Sequence, residues 1–127
     1  MGSLPLQRSL NKARGEGYSV GIVERFIPFP KPWGHRVDLF GLFDAVAVRR
    51  DIPGVLGIQA CRDADIAAHR DKAIAIHELE IWKAAGNRAV IWGWAFKVPR
   101  NPDGSRRRLH DGTNDSRKVW TVREIVL

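Results

Sequence analysis

Two stretches decide the fold: "GLFDAVAV" at 41–48 and "GVLGIQAC" at 54–61. Each is a short apolar, β-branched run that reads as a strand. Between them lies "RRDIPG" at 49–54, where Asp51, Pro53 and Gly54 supply the chemistry of a tight reversal. The two runs therefore form an antiparallel hairpin, and antiparallel partners keep a constant index sum. If Val48 faces Val55, then Val46 faces Gly57 and Asp44 faces Gln59. Directly opposed side chains share a face, so the only two polar residues in these runs point together. Burying one polar group without a partner costs about 2–7 kcal/mol, and a charge costs more. Asp44 and Gln59 thus ask for a ligand, and a metal ion is one answer.

Outward from the hairpin, 4–16 reads as an amphipathic helix, with Leu6, Leu10 and Ala13 on one side and basic residues between them. "YSVGIVERF" at 18–26 reads as a strand. It ends at "IPFPKPWG", where three prolines forbid regular structure. After the hairpin, 63–85 is alanine-rich and helical, with Asp63 or Asp65 as N-cap, Gly86 as stop and a break expected near His77. Ile66, Ile74, Ile81 and Trp82 are its expected core contacts. "RAVIWGWAF" at 88–96 and "KVWTVREIV" at 118–126 read as strands. The segment between them has turn residues and charges without a period, and reads as a long loop. No internal repeat is evident. The expected architecture is an α/β mixed sheet flanked by helices, in the order α-β-β-β-α-β-β. The 127 residues suit one domain over 1–127, with a basic loop at about 97–117.

Composition narrows the function. Lys and Arg number 21 against 14 Asp and Glu, a formal charge of +7, and the sequence pI is about 10.3. Such a balance favours a polyanionic partner, with nucleic acid first. The single cysteine, Cys61, excludes an internal disulfide scaffold and a multi-thiol zinc finger. No apolar run approaches the roughly 20 residues of a membrane helix, and residues 1–10 lack the apolar core of a signal peptide. A cytoplasmic protein without membrane contact is expected. Positive charge gathers at Arg8, Lys12 and Arg14, and again over 97–118, where "SRRR" contributes Arg106, Arg107 and Arg108. A flexible basic loop can follow phosphates without reading bases. Trp33, between Pro32 and Gly34, could stack on an unpaired base or pack on a partner subunit. Trp82, Trp92, Trp94 and Trp120 suit core or dimer interface.

Hydrolysis of a phosphodiester calls for a divalent ion, and Mg²⁺ takes oxygen ligands. Asp44 offers a carboxylate, Gln59 an amide oxygen and Ala60 a carbonyl. Glu24 and Asp38 are the nearest further acids, with Glu24 ranked first. Each has a plainer reading: Asp38 as a turn residue, Glu24 as the partner of Arg25 or Arg36, and Gln59 as a buried amide satisfied by backbone.

An Asp in the second strand after a glycine-containing loop, then a hairpin and a polar residue in the third strand, resembles the PD-(D/E)XK nuclease superfamily. Over about 6–126 the order of elements is similar to that of archaeal-type Holliday junction resolvases, and to phage-encoded relatives with a "VER…DLFG…D…Q" pattern. The resemblance implies a restriction-endonuclease-like fold and Mg²⁺-dependent cleavage of branched or four-way DNA, with Mn²⁺ possible. It implies a homodimer, since two strands are cut symmetrically. It makes Asp44 a metal ligand, sets Gln59 where a glutamate usually stands, and lets the Ala60 carbonyl reach the ion. Cys61 takes the place of the motif lysine, a departure that removes a positive charge. Lys72 or Arg70 on the following helix could restore it; as plain surface residues they would be a solvated helix face. The glutamate expected on the first helix is also missing, Gln7 lying nearest, so Glu24 would compensate. An endodeoxyribonuclease in the host cytoplasm is the leading expectation. A DNA-binding protein with a degenerate site, and an interaction protein whose basic loop meets another anion, are the alternatives.

Overall fold

The computed structural model describes residues 4–127. Helix α1 (Leu4–Gly15) is built on one apolar stripe, and Leu6, Ser9, Leu10 and Ala13 are all buried. That stripe lies on a five-stranded sheet of order β1-β4-β5-β6-β7. Its strands are β1 (Ser19–Ile22), β4 (Ala45–Arg49), β5 (Ile52–Arg62), β6 (Arg88–Lys97) and β7 (Val119–Val126). A separate ribbon pairs β2 (Arg25–Ile27) with β3 (His35–Val37). Pairing is antiparallel throughout except β5 with β6, whose parallel register runs from Leu56↔Arg88 to Arg62↔Trp94. Parallel neighbours need a long crossover. Here it is helices α2 (Ile66–Ile74) and α3 (His77–Ala84), entered through a 3₁₀ turn at Asp63–Asp65.

Strand alternation distributes the core on two sides. Ala45, Ala47, Leu56, Ile58, Ala60, Val90 and Trp92 meet α1. On the opposite face Cys61 and Ile91 meet Ile66, while Phe43, Leu42 and Ala89 meet Ala73 and Leu79. No helix among the described residues is long and apolar enough to cross a membrane.

The expected register is present where it matters. Ala45 pairs with Ile58 and Val46 with Gly57, and that index sum sets Asp44 opposite Gln59. Beyond Ala47 a bulge intervenes and Arg49 pairs with Ile52, so Val48 and Val55 are not partners. The reversal is tighter than expected: Pro53 and Gly54 belong to β5, and Asp51 is clamped by the Arg49 guanidinium at 2.9–3.0 Å.

Other expectations need correction. The strand expected at 18–26 is two strands, because the carbonyl of Asp44 accepts the N–H groups of both Val23 (2.9 Å) and Glu24 (3.2 Å) and bends the chain there. Asp65 sits at the N-cap position without capping; its carboxylate takes the Arg62 guanidinium at 2.9 Å instead. Ile74 and Ile81 are exposed, since the break at 75–76 re-phases the helix and turns Ala73, Ile76 and Leu79 inward.

The segment between β6 and β7 is a long loop, as expected, but it contains a repeat that apolar periodicity could not detect. "RNPDGS" at 100–105 and "RLHDGT" at 108–113 fold alike. In each, the aspartate accepts from the backbone N–H and hydroxyl of the residue two further on: Ser105 to Asp103 at 2.9 and 2.6 Å, and Thr113 to Asp111 at 2.9 and 2.6 Å. In each, the leading arginine donates to the glycine carbonyl, Arg100 to Gly104 and Arg108 to Gly112. These are tandem Asx-type turns, a local alternative to strand pairing.

Gly57 allows β5 to pass beneath Phe43: a Cβ there would lie 2.5 Å from the Phe43 ring. Gly57→Ala is expected to cost about 1–3 kcal/mol through overpacking, read as a lower urea midpoint with an unchanged slope.

Candidate metal centre

Three carboxylates converge because their apolar neighbours do. Val23, Leu39 and Phe43 pack in one hydrophobic cluster. Each stands next in sequence to an acid, so Glu24, Asp38 and Asp44 are drawn together. Asp38 returns towards Asp44 through a tight turn, with Leu39 bonded to the Phe43 carbonyl at 3.0 Å. Phe40 and Gly41 both adopt positive φ there, 58° and 70°. For phenylalanine that conformation is uncommon and strained, and its ring is held edge-on to Trp82 at 6.4 Å. One oxygen from each of the three acids lies within 4.8 Å of the others.

Asp44 is the buried member, with only 6% exposure. Its Oδ2 accepts the Ala60 N–H at 2.8 Å and the Gln59 amide Nε2 at 3.2 Å. Burial, then a hydrogen bond shared with Asp38 and the charges of Asp38 and Glu24, push its pKa up to about 8, against the pull of the Ala60 N–H. Three acids at this spacing repel unless a proton or a cation sits among them. The donor set is hard oxygen, which suits Mg²⁺, Mn²⁺ or Ca²⁺. An octahedral Mg²⁺ with ligands at about 2.1 Å spans about 3–4 Å between oxygens, so a small inward movement of these side chains would hold one. Cys61 adds no soft ligand; burial and the aspartates around it push its thiol up to about 11.

Gln59 is buried as expected, but it presents its amide nitrogen to Asp44. A half-turn of the amide would present the oxygen instead. The Ala60 carbonyl lies on the same edge of β5 as its N–H, so it too faces Asp44's side of the sheet.

The plainer reading of Glu24, as a partner of Arg25 or Arg36, holds for Arg36. Arg36 donates to Glu24 Oε1 at 2.6 Å and brings positive charge to the cluster from β3. What the sequence did not show is that this ion pair sits beside Asp38 and Asp44 rather than apart from them. Lys72 and Arg70 are exposed on α2, and among the described residues neither bonds to the three acids. Gln7 is exposed on α1, across the sheet from Gln59 and Cys61.

The expected DNA-facing residues divide. Arg8 stacks on Trp120 at 3.3 Å, and Lys12 pairs with Glu16 at 2.8 Å and lies over the Trp92 ring, so both are engaged on the α1 side. Arg14, Arg106, Arg107 and Arg108 are exposed, and Trp33 is 82% exposed. Trp92 is core, and Trp94 donates to the buried Ser9 hydroxyl at 2.9 Å.

No known protein family matches the chain, and neither a curated protein nor a solved structure matches it.

The raised pKa of Asp44 fixes a pH dependence. The native state keeps that proton to about pH 8, whereas an unfolded aspartate releases it near pH 4, so folding binds protons in that window and stability falls as pH rises through it. In EDTA, thermal melts of the wild type are expected to decline from pH 4 to 8 relative to Asp44→Asn, which carries no charge. Millimolar Mg²⁺ or Mn²⁺ should stabilise the wild type, by about 2.7 kcal/mol at a hundredfold excess over Kd, and leave the variant unmoved.

Proposed function

We propose that this chain is a divalent-cation-dependent DNA endonuclease of the PD-(D/E)XK type, with four-way junction resolution as its most concrete activity. The observation that carries the reading is the convergence of Glu24, Asp38 and Asp44 at the head of the β4–β5 hairpin, beside Gln59 and Ala60. Along the five-strand sheet the elements run helix, three antiparallel strands, helical crossover, two strands, which supports the restriction-endonuclease-like arrangement.

When bound, the cation supplies charge neutralisation at the phosphate and a more acidic water. The chain's own residues hold and orient. Asp44 is fixed by the Ala60 N–H, and one of Glu24 and Asp38 would join it in holding the cation. Whichever of Glu24 and Asp38 is free of the cation accepts the proton of the attacking water; the water oxygen bonds to phosphorus, and the leaving O3′ takes a proton from solvent. Arg36 is placed to offset the charge that grows on the phosphate. Lys72 or Arg70 could add to it from α2. Two sites related by a two-fold axis would cut opposed strands, so a homodimer belongs to the proposal.

A second reading is favoured by Cys61, whose buried neutral thiol stands where a lysine would serve: a DNA-binding protein of the same fold with a silent site. Cleavage of a labelled four-way junction, beside duplex and single strand, separates the two. Paired cuts in Mg²⁺ or Mn²⁺, lost in EDTA and in Asp44→Ala while binding remains, are expected; binding without cutting in either metal would leave the second reading.

The exposed arginines set the salt response. Arg106→Ser and Arg107→Ser are each expected to reduce the slope of log K against log salt by about 1, uniformly across DNA sequences, as read by fluorescence anisotropy titrations.

A further inference from the structure

We propose that the β2–β3 ribbon is a wedge that stacks unpaired bases beside the acidic cluster, so that the scissile phosphate lies where a duplex opens. This rests on the nuclease reading and names the feature of the DNA that the site selects. The placement is direct: Glu24 immediately precedes β2 and Asp38 immediately follows β3. Both strands of the ribbon therefore leave from the cluster itself, with Arg25↔Val37 as the first rung and Ile27↔His35 as the last. Three residues of strand extend about 10 Å, the length of about three stacked bases.

The ribbon's surface is aromatic and cationic. Phe26, Phe29 and Trp33 are 58%, 60% and 82% exposed. Between Arg25 and Val37 the sequence holds Arg25, Lys31 and Arg36 and no acid. Arg36 is bonded to Glu24 at the root, and the Lys31 ammonium lies 5.8 Å from the centre of the Phe29 ring. Alternating π faces and cations are what a strand of unpaired nucleotides recognises, since every base has a face to stack and every linkage a charge. Charge complementarity selects nucleic acid over an apolar partner surface.

The tip is also held rigid while its rings stay in water. Pro28, Pro30 and Pro32 fix φ at three positions of the connection. The Gly34 N–H bonds to the Pro30 carbonyl at 2.9 Å, and His35 Nδ1 meets the Phe29 carbonyl at 2.7 Å. Gly34 has φ +64°, and a Cβ there would lie 2.6 Å from both the Ile27 carbonyl and the Phe26 ring. A rigid tip with rings kept out of the core loses little freedom when bases stack on it.

The test is binding in EDTA, by anisotropy, to a labelled four-way junction, a single-stranded oligonucleotide and a matched duplex, with cleavage of the junction assayed separately in Mn²⁺. Trp33→Ala combined with Phe29→Ala is expected to weaken the junction and the single strand about tenfold or more and leave the duplex unchanged. Trp33→Phe should keep most of the preference. Both side chains are exposed, so the urea midpoint should not move. Equal weakening of all three DNAs, no weakening, or variant-sensitive binding to anionic lipid vesicles in place of DNA would overturn the wedge. If the preference for open DNA depends on Trp33 but no cutting occurs, the wedge stands and the nuclease reading falls. Cutting of the junction with affinities indifferent to Trp33 and Phe29 gives the reverse.

Discussion

The bond from the Ala60 N–H to Asp44 Oδ2, 2.8 Å long, is the constraint on which both fold and site depend. Asp44 stands one residue before β4, where a backbone rung would otherwise end. Its carboxylate replaces that rung, its own N–H donates to the Ile58 carbonyl at 2.9 Å, and its carbonyl accepts from Val23 and Glu24. A single residue thus joins β1, β4 and β5 through three different groups. Holding a carboxylate in such a place raises the cost of its charge, because a buried anion loses more in hydration than one backbone donor returns. The same bond that closes the sheet therefore leaves an acid in need of a proton or a cation.

Electrostatics operates here on two length scales. The chain carries +7 overall, and a polyanion responds to that sum as it comes within about a Debye length, about 8–10 Å near physiological salt, since salt screens it beyond. Within the cluster the sign reverses, because three carboxylates face one guanidinium. Arg106 and Arg107 lie between the two turns, whose aspartates are held ionised by hydroxyl and backbone donors, and Arg107 also feels the charge of Asp115, so basic and acidic charges are interleaved along that segment. A basic exterior with an acidic point inside it is the charge pattern on which the proposed function rests.

What was legible in the sequence follows the kind of signal. The index sum of the hairpin could be read from apolar alternation and a turn, and it placed Asp44 against Gln59. The pairing failed at Val48 because a bulge leaves no mark in composition. The bend at Val23 and Glu24 arises from a distant carbonyl, which no local propensity encodes. Asp38 joins the cluster through a positive φ at Phe40, a conformation phenylalanine does not advertise. The tandem turns were present as a plain eight-residue repeat of arginine, aspartate, glycine and hydroxyl, hidden only from a search tuned to hydrophobic period. Ile74 and Ile81 show the converse: correct helical spacing counts for little once a two-residue break rotates one helix against the next.

The departures at Gln59 and Cys61 bear on how the proposed site balances its charge. Fully ionised, Glu24, Asp38 and Asp44 bring −3, and Arg36 brings +1, for a sum of −2, the charge that one divalent cation cancels. A glutamate at 59 would add an anion at the Oδ2 of Asp44, where the amide now donates a hydrogen bond. A lysine at 61 would have to place its ammonium on the face where Cys61 now packs with Ile66 and Ile91. Neutral residues at both positions remove one charge of each sign, so the exchange is internally compensated. The positive charge enters from β3 instead, on a strand whose other end carries the aromatic tip. Arg36 and the exposed rings of the tip then belong to one ribbon, with Glu24 and Asp38 at its two root ends, which is the arrangement the proposed wedge uses.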